Sequence, residues 1–257
     1  MQKKVALVTG ASSGIGREFA LQLDKMQVAD EIWICARKKD ALEKVAGELD
    51  TPAKILEADL TNKDDVAAIR DTLKEEQPNV TYLVNAAGFG KFGDWQTISD
   101  EAAAGMIDLN CRAVVEMTRA ALPYMGRGGR IIQVASAAAF LPLPHMNVYA
   151  ASKAFVLRYT RALRWELAGT GITATALCPT WVKTGFEKVA RQSGGGHDVR
   201  HLFGAQTPQS VVRDALLANK AHFAIACASP QSLLLRLVGK VVPSCISMAG
   251  WEAMRRI

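Results

Sequence analysis

Residues 5–16 read Val5-Ala6-Leu7-Val8-Thr9-Gly10-Ala11-Ser12-Ser13-Gly14-Ile15-Gly16, an apolar run that passes straight into a loop with three glycines. A short run of this kind, rich in Val and Leu and closed by Thr-Gly, reads as a buried strand. From residue 17 to 26 the spacing becomes helical. A glycine loop carries chemistry when it links a strand to a helix. Gly10 permits the tight turn, while Gly14 and Gly16 let the backbone approach a pyrophosphate and the helix pack on the strand. Ser12, Ser13 and Ile15 complete the loop, and the helix N-terminus offers unpaired N–H groups and partial positive charge to phosphates.

The same alternation continues outward. Strands are expected at residues 5–9, 31–35, 53–57, 80–84, 130–135, 172–177 and 222–227, and helical spacing at 17–26, 39–49, 63–76 and 152–169. Near-continuous apolar strands are buried on both faces, and the helices between them supply the crossovers that parallel strands need. The expected fold is α/β: a Rossmann-like, doubly wound, mostly parallel sheet of seven strands with helices on both faces. Ligands of such a sheet bind beyond the carboxyl ends of its strands. With no repeat or linker, residues 1–257 read as one domain. Two stretches break the rhythm. Residues 184–208, with Gly194, Gly195 and Gly196, form a long irregular segment read as a substrate lid. Residues 229–257 read as a C-terminal extension of two helices parted at Pro243.

The 257 residues carry a formal charge of +6 with scattered basic side chains, which argues against a nucleic-acid partner. Five cysteines without a C-x-x-C pair suggest neither a disulfide framework nor a metal site, and Cys35, Cys178 and Cys227 read as small core residues. No secretory signal pattern and no apolar run near the ~20 residues of a membrane span are present, so a cytoplasmic protein is expected.

The cofactor's identity should be readable at the end of the second strand, where an acid would select NAD. Here the sequence is Ala36-Arg37-Lys38-Lys39. A guanidinium fork suits a phosphate, so Arg37, helped by Lys38, is the candidate for the 2′-phosphate of NADP. Arg17 is a further candidate. After the third strand stand Asp59, Leu60 and Thr61; Asp59 also fits turn chemistry, and Thr61 an N-cap. After the fourth come Asn85, Ala86, Ala87 and Gly88, where Asn85 also fits a role within the sheet.

Tyr149-Ala150-Ala151-Ser152-Lys153 places a phenol and an ammonium four residues apart, on one face of a helix. A nearby cation favours the phenolate and brings tyrosine toward a useful acid–base range. Ser136 is expected to end the fifth strand, where a ligand-facing hydroxyl belongs.

With its TGASSGIG loop, NAAG, Asn110, Ser136 and YAASK in order, the chain resembles the short-chain dehydrogenase/reductase family over roughly its first three-quarters. The resemblance implies hydride transfer between NADP(H) and a carbonyl or secondary alcohol. Tyr149 would be the general acid/base. Lys153 would stabilise its phenolate and bind the nicotinamide ribose, Ser136 would orient the substrate oxygen, and Asn110 would support a relay water. It also implies that Asp59 meets the adenine and that Pro179, Val182 and Thr184 secure the nicotinamide. The chain departs from the family pattern at Ala86, where Asn is usual, and at Thr180, where Gly is usual.

Phe140, Leu141, Leu143, His145, Met146, Trp181, Phe186 and Phe203 suggest an apolar pocket, hence an apolar ketone or aldehyde; packing of the lid onto the domain would also account for several of them. His145 reads as a loop polar residue. The competing reading is a non-catalytic NADPH-binding sensor. Homo-oligomerisation is expected from the resemblance. In the tail, Arg236, Lys240, Arg255 and Arg256 beside Leu and Trp permit membrane contact, although a lid or subunit-interface helix is the favoured assignment.

Overall fold

In the computed structural model, which describes residues 2–191 and 204–255, seven strands form one sheet in the order β3-β2-β1-β4-β5-β6-β7, every neighbouring pair parallel. They are β1 (Lys4–Thr9), β2 (Glu31–Ala36), β3 (Ala53–Glu57), β4 (Asn79–Asn85), β5 (Arg130–Val134), β6 (Thr173–Leu177) and β7 (Ile225–Ala226). The crossovers are α1 (Gly14–Lys25), α2 (Lys39–Ala46), α3 (Lys63–Glu76), α4 (Asp100–Ile107), α5 (Ala113–Ala121), α6 (Asn147–Glu166), the short α7 (Phe186–Ala190) and α8 (Pro208–Lys220). Helices α9 (Pro230–Val241) and α10 (Ser244–Arg255) follow the last strand and flank Pro243, as expected.

Strand periodicity divides the core. Val5 and Leu7 pack on one face with α3 and α5 through Val66, Ile69, Leu73 and Met117. Ala6 and Val8 pack on the other with α1, α2 and α8 through Phe19, Leu23, Leu42 and Val211. Both faces are covered, which is why the central strands read as near-continuous apolar runs rather than a strict apolar–polar alternation. The strand order reverses between β1 and β4, and the crevice of such a sheet lies there.

Several boundaries differ from the sequence expectation. The strand expected at 222–227 is only Ile225–Ala226, because His222 turns the chain at φ +59 just before it. Helix α6 begins at Asn147, five residues early, so Tyr149 lies in its first turn; it ends at Glu166, before Gly169 and Gly171 at φ +84 and +83. The helix after β3 is capped by Asn62, whose side chain accepts from the Asp64 N–H, not by Thr61. Cys35 and Cys178 are core residues, but Cys227 is only half-buried. Of the expected lid, residues 192–203, including the three glycines and Phe203, lie outside the described residues. Among the described residues no helix is long and apolar enough to cross a membrane.

Candidate active site

The glycine loop lies against the end of β4. Gly10 has φ +67, and a Cβ there would stand 2.7 Å from the Ala87 nitrogen, so only glycine permits this approach. The Thr9 hydroxyl spans the same gap, accepting from the N–H groups of Ala86 and Ala87 at 3.2 Å each. The opening of α1 suits an anion: Ser13, its N-cap, makes no side-chain cap bond, and no acid stands in the first turn. Ile15 packs against the core face behind the loop. Gly14 faces Thr184, which lies 3.2 Å from where a Cβ would stand, so segments 170 residues apart meet at one spot. A cradle of this shape fits a dinucleotide pyrophosphate.

At the adjacent strand ends, Arg37 is largely exposed and stands 3.9 Å from Asp59. The Asp59 carboxylate accepts from the N–H and hydroxyl of Thr61, the turn chemistry anticipated as its alternative. These bonds and Arg37 hold its pKa below the usual carboxylate range, against the opposing effect of burial. Leu60 turns its side chain into the core, leaving only backbone toward any ligand. Asn85 is buried and donates to the Thr118 hydroxyl at 3.1 Å, so its side chain serves the interior. Arg17 is engaged with Glu48, two residues beyond α2.

Asn110, Ser136, Tyr149 and Lys153 converge beyond β4 and β5. Asn110 lies in a π-helical turn, Asp108–Arg112, between α4 and α5, a distortion frequent at functional sites. Its amide clasps the Phe89 backbone, accepting from N–H at 3.1 Å and donating to the carbonyl at 2.9 Å, and also donates to the Ser152 hydroxyl at 3.0 Å. Ser152 in turn donates to the Tyr149 carbonyl at 2.7 Å, coupling the π-helical turn to the start of α6. Ser136 stands two residues beyond β5 rather than at its end and caps a 3-10 turn, Ala137–Phe140, by accepting from Ala138 N–H. That turn is held by Ala137 N–H donating to the Pro179 carbonyl at 2.8 Å.

The electrostatics of the site reverse the simplest expectation for Tyr149. Burial pushes the phenol up to about 12, against the Ser136 hydroxyl, which draws it down. Lys153 is pushed down to about 8, also chiefly by burial. Its ammonium donates to the Val134 carbonyl at 2.8 Å. Desolvation, rather than the neighbouring amine, sets the direction of the phenol.

Around Tyr149 lies an apolar cluster of Phe92, Leu143 and Met146, with Leu141, Trp181 and Phe186 packed against it. Phe186 lies 5.5 Å from the Tyr149 ring and Phe92 6.0 Å, and Trp181 meets Phe92 edge-on at 5.9 Å. Phe140 belongs to a different cluster, with Ala135, Val156 and Leu157. His145 is not merely a loop residue: its imidazole lies between Asp94 and Glu252 of α10, and Trp251 donates to the Pro144 carbonyl at 3.0 Å. Thr180, where the family pattern has Gly, uses its hydroxyl on Gln206 and Ser229. Val182 bridges to Gln206, which fixes this loop. Sequence reasoning missed Thr9, Phe92, Ser152, Trp251 and Glu252. Only Thr9 carried a local signal, its place at the strand–loop junction.

This fold and site define a dinucleotide-binding oxidoreductase class. Residues 4–194 match the family model described as short chain dehydrogenase, and the chain belongs to that family. It is 34% identical over 208 residues to sulfoacetaldehyde reductase 2 of Chromohalobacter salexigens, covering 74% of this chain and 77% of that protein. A short-chain dehydrogenase from Sphingobium yanoikuyae in complex with NADPH superposes with TM-score 0.78 at 27% identity, covering 93% of each chain. A 3-ketoacyl-(acyl-carrier-protein) reductase from Brucella melitensis complexed with NADH gives 0.71 at 30% identity, covering 90% of this chain and 93% of that one.

Proposed function

We propose that this oxidoreductase reduces an apolar ketone or aldehyde, or oxidises the corresponding alcohol, with NADP(H), and that Tyr149 is its general acid/base. The observation that carries the reading is the convergence of Ser136, Tyr149 and Lys153 beyond the end of β5, beneath the aromatic cluster. Gly10–Gly16 and the start of α1 hold the pyrophosphate, Arg37 the 2′-phosphate, and the backbone at Asp59, Leu60 and residues 85–88 the adenosine. Pro179, Val182 and Thr184 lie along the nicotinamide side. Bound there, the cofactor supplies or accepts the hydride.

The chain's own residues handle the proton and the oxygen. Ser136 donates to the substrate oxygen and positions it at the Tyr149 phenol, which is protonated at neutral pH and gives its proton to that oxygen. Lys153, charged below about 8, lies behind the phenol and stabilises the phenolate left after transfer. Asn110 holds residues 88–89 and Ser152 in register beside Lys153. Phe92, Trp181 and Phe186 exclude water and favour an apolar substrate.

The test is a panel of carbonyl substrates with NADPH and NADH consumption followed in parallel, repeated with Tyr149→Phe. The variant should lose about 10²–10⁴-fold in kcat while still binding NADPH. A variant that keeps its full rate would overturn the assignment. Binding of NADPH without turnover of any carbonyl would favour a sensor.

A further inference from the structure

A cleft of about 150 Å3 opens between α6 and α9, and its walls carry Arg158, Arg161, Arg236 and Lys240. Phe140, Leu157 and Ile225 line it as well and give it an apolar side. Among the described residues none of these four cations pairs with a carboxylate. Across residues 137–166 and 225–255 the only acids are Glu166 and Glu252, and Glu252 is turned inward to His145. Four like charges around one cleft repel one another, and an anion brought among them relieves that repulsion.

The flank of α9 next to the cleft is apolar and exposed, one helical step round from Arg236 and Lys240. Leu233, Leu237 and Val241 recur every four residues, with Leu234 beside them, and their exposures run from 49% at Leu233 to 80% at Val241. On α10, Ile246 is 59% exposed. The inward side is anchored: Ser232 donates to the Cys178 carbonyl at 2.5 Å, and Gly239 lies so close to the Phe140 carbonyl that a Cβ would clash. The stripe is therefore presented on a fixed helix.

We propose that α9 and α10 dock this protein on an anionic phospholipid surface. Leu233, Leu234, Leu237, Val241 and Ile246 enter the headgroup–acyl boundary, and Arg158, Arg161, Arg236 and Lys240 engage lipid phosphates beside them. An apolar stripe bordered by cations is the chemistry of an interfacial helix. A second copy is a poorer occupant, because a two-fold contact sets a surface patch against itself. It would bring two clusters of four cations together, to which the segments around the cleft offer only Glu166 and the inward-turned Glu252. The inference does not depend on the catalytic reading.

The test is flotation of the full chain with vesicles of phosphatidylcholine alone or with phosphatidylglycerol. Binding is expected only with phosphatidylglycerol and weakens as salt rises. Arg236→Gln with Lys240→Gln should weaken it about twenty-five-fold, since each basic residue near an anionic surface is worth about a factor of five. Leu237→Gln with Val241→Gln should weaken it about tenfold or more. Both pairs should keep the wild-type circular dichroism spectrum; if the apolar pair misfolds, the charge pair alone decides. Absence of binding to phosphatidylglycerol, or equal binding by the charge pair, overturns the proposal. So does sedimentation showing a dimer that Leu237→Gln with Val241→Gln dissolves while vesicles go unbound.

Discussion

The Lys153 ammonium stands 5.9 Å from the centre of the Tyr149 ring, one helical turn away, and is hydrogen bonded to the Val134 carbonyl. Both side chains are buried beneath the aromatic cluster, and burial moves their pKa values in opposite directions. The fold thus holds a protonated phenol beside a readily neutralised amine.

Stability should consequently depend on pH in the alkaline range. Lys153 titrates near 8 in the folded chain and at 10.5 in its ordinary state, so between these values the unfolded chain binds more protons. Its burial penalty is full below pH 8 and is relieved as pH rises toward 10.5. The difference corresponds to about 3 kcal/mol. Above pH 10 Tyr149 acts oppositely, because the unfolded phenol ionises first. Lys153→Met should flatten the rise in urea midpoint between pH 8 and 10, and an unchanged slope would contradict the burial argument.

Cofactor choice should rest on Arg37. A charge-assisted hydrogen bond contributes about 1.5–3 kcal/mol, so Arg37→Ala should lower kcat/KM for NADPH by about ten- to a hundredfold and leave NADH nearly unchanged. Equal losses with both cofactors would show that Arg37 does not read the 2′-phosphate.

Gly88→Ala is expected to damage the site sterically. Its Cβ would stand 2.8 Å from Asn110 Oδ1 and 3.3 Å from Lys153 Nζ. Asn110 must move, its clasp on Phe89 weakens, and stability should fall by about 1–3 kcal/mol. A crystal structure of the variant with Asn110 unmoved would refute this.

His145→Ala should loosen the tail from the pocket. The imidazole joins the loop at Asp94 to α10 at Glu252, and Phe92 of the same loop packs on Tyr149. A loss of about 1–3 kcal/mol would lower the melting temperature by about 2–4 °C per kcal/mol in a chain of this size. KM for apolar substrates should rise more than kcat falls. A fall in kcat alone would place the effect elsewhere.

How much was legible depended on sequence distance. The glycine loop, the apolar strands and the four-residue step from Tyr149 to Lys153 are local patterns, fixed by backbone sterics and helical repeat. The cap at Asn62 rather than Thr61 is a one-residue choice between two competent side chains, which pattern alone does not rank. The π-helical turn at Asn110 follows from its bonds to Phe89 and Ser152, 21 and 42 residues away, which helical spacing cannot reveal.

The sequence by itself determined an α/β fold with parallel strands, a glycine loop joining β1 to α1, and a phenol and an amine on one helix face. Those features depend on residues a few positions apart, where the chain's covalent geometry dictates proximity. Tertiary structure alone decided that Tyr149 is driven up rather than down, that Phe92 and Phe186 flank it, and that Trp251 and Glu252 hold the loop at His145. It also gathered Arg158 and Arg161 of α6 with Arg236 and Lys240 of α9 around one cleft. Desolvation and long-range packing depend on which surfaces fold together, and no local spacing encodes that.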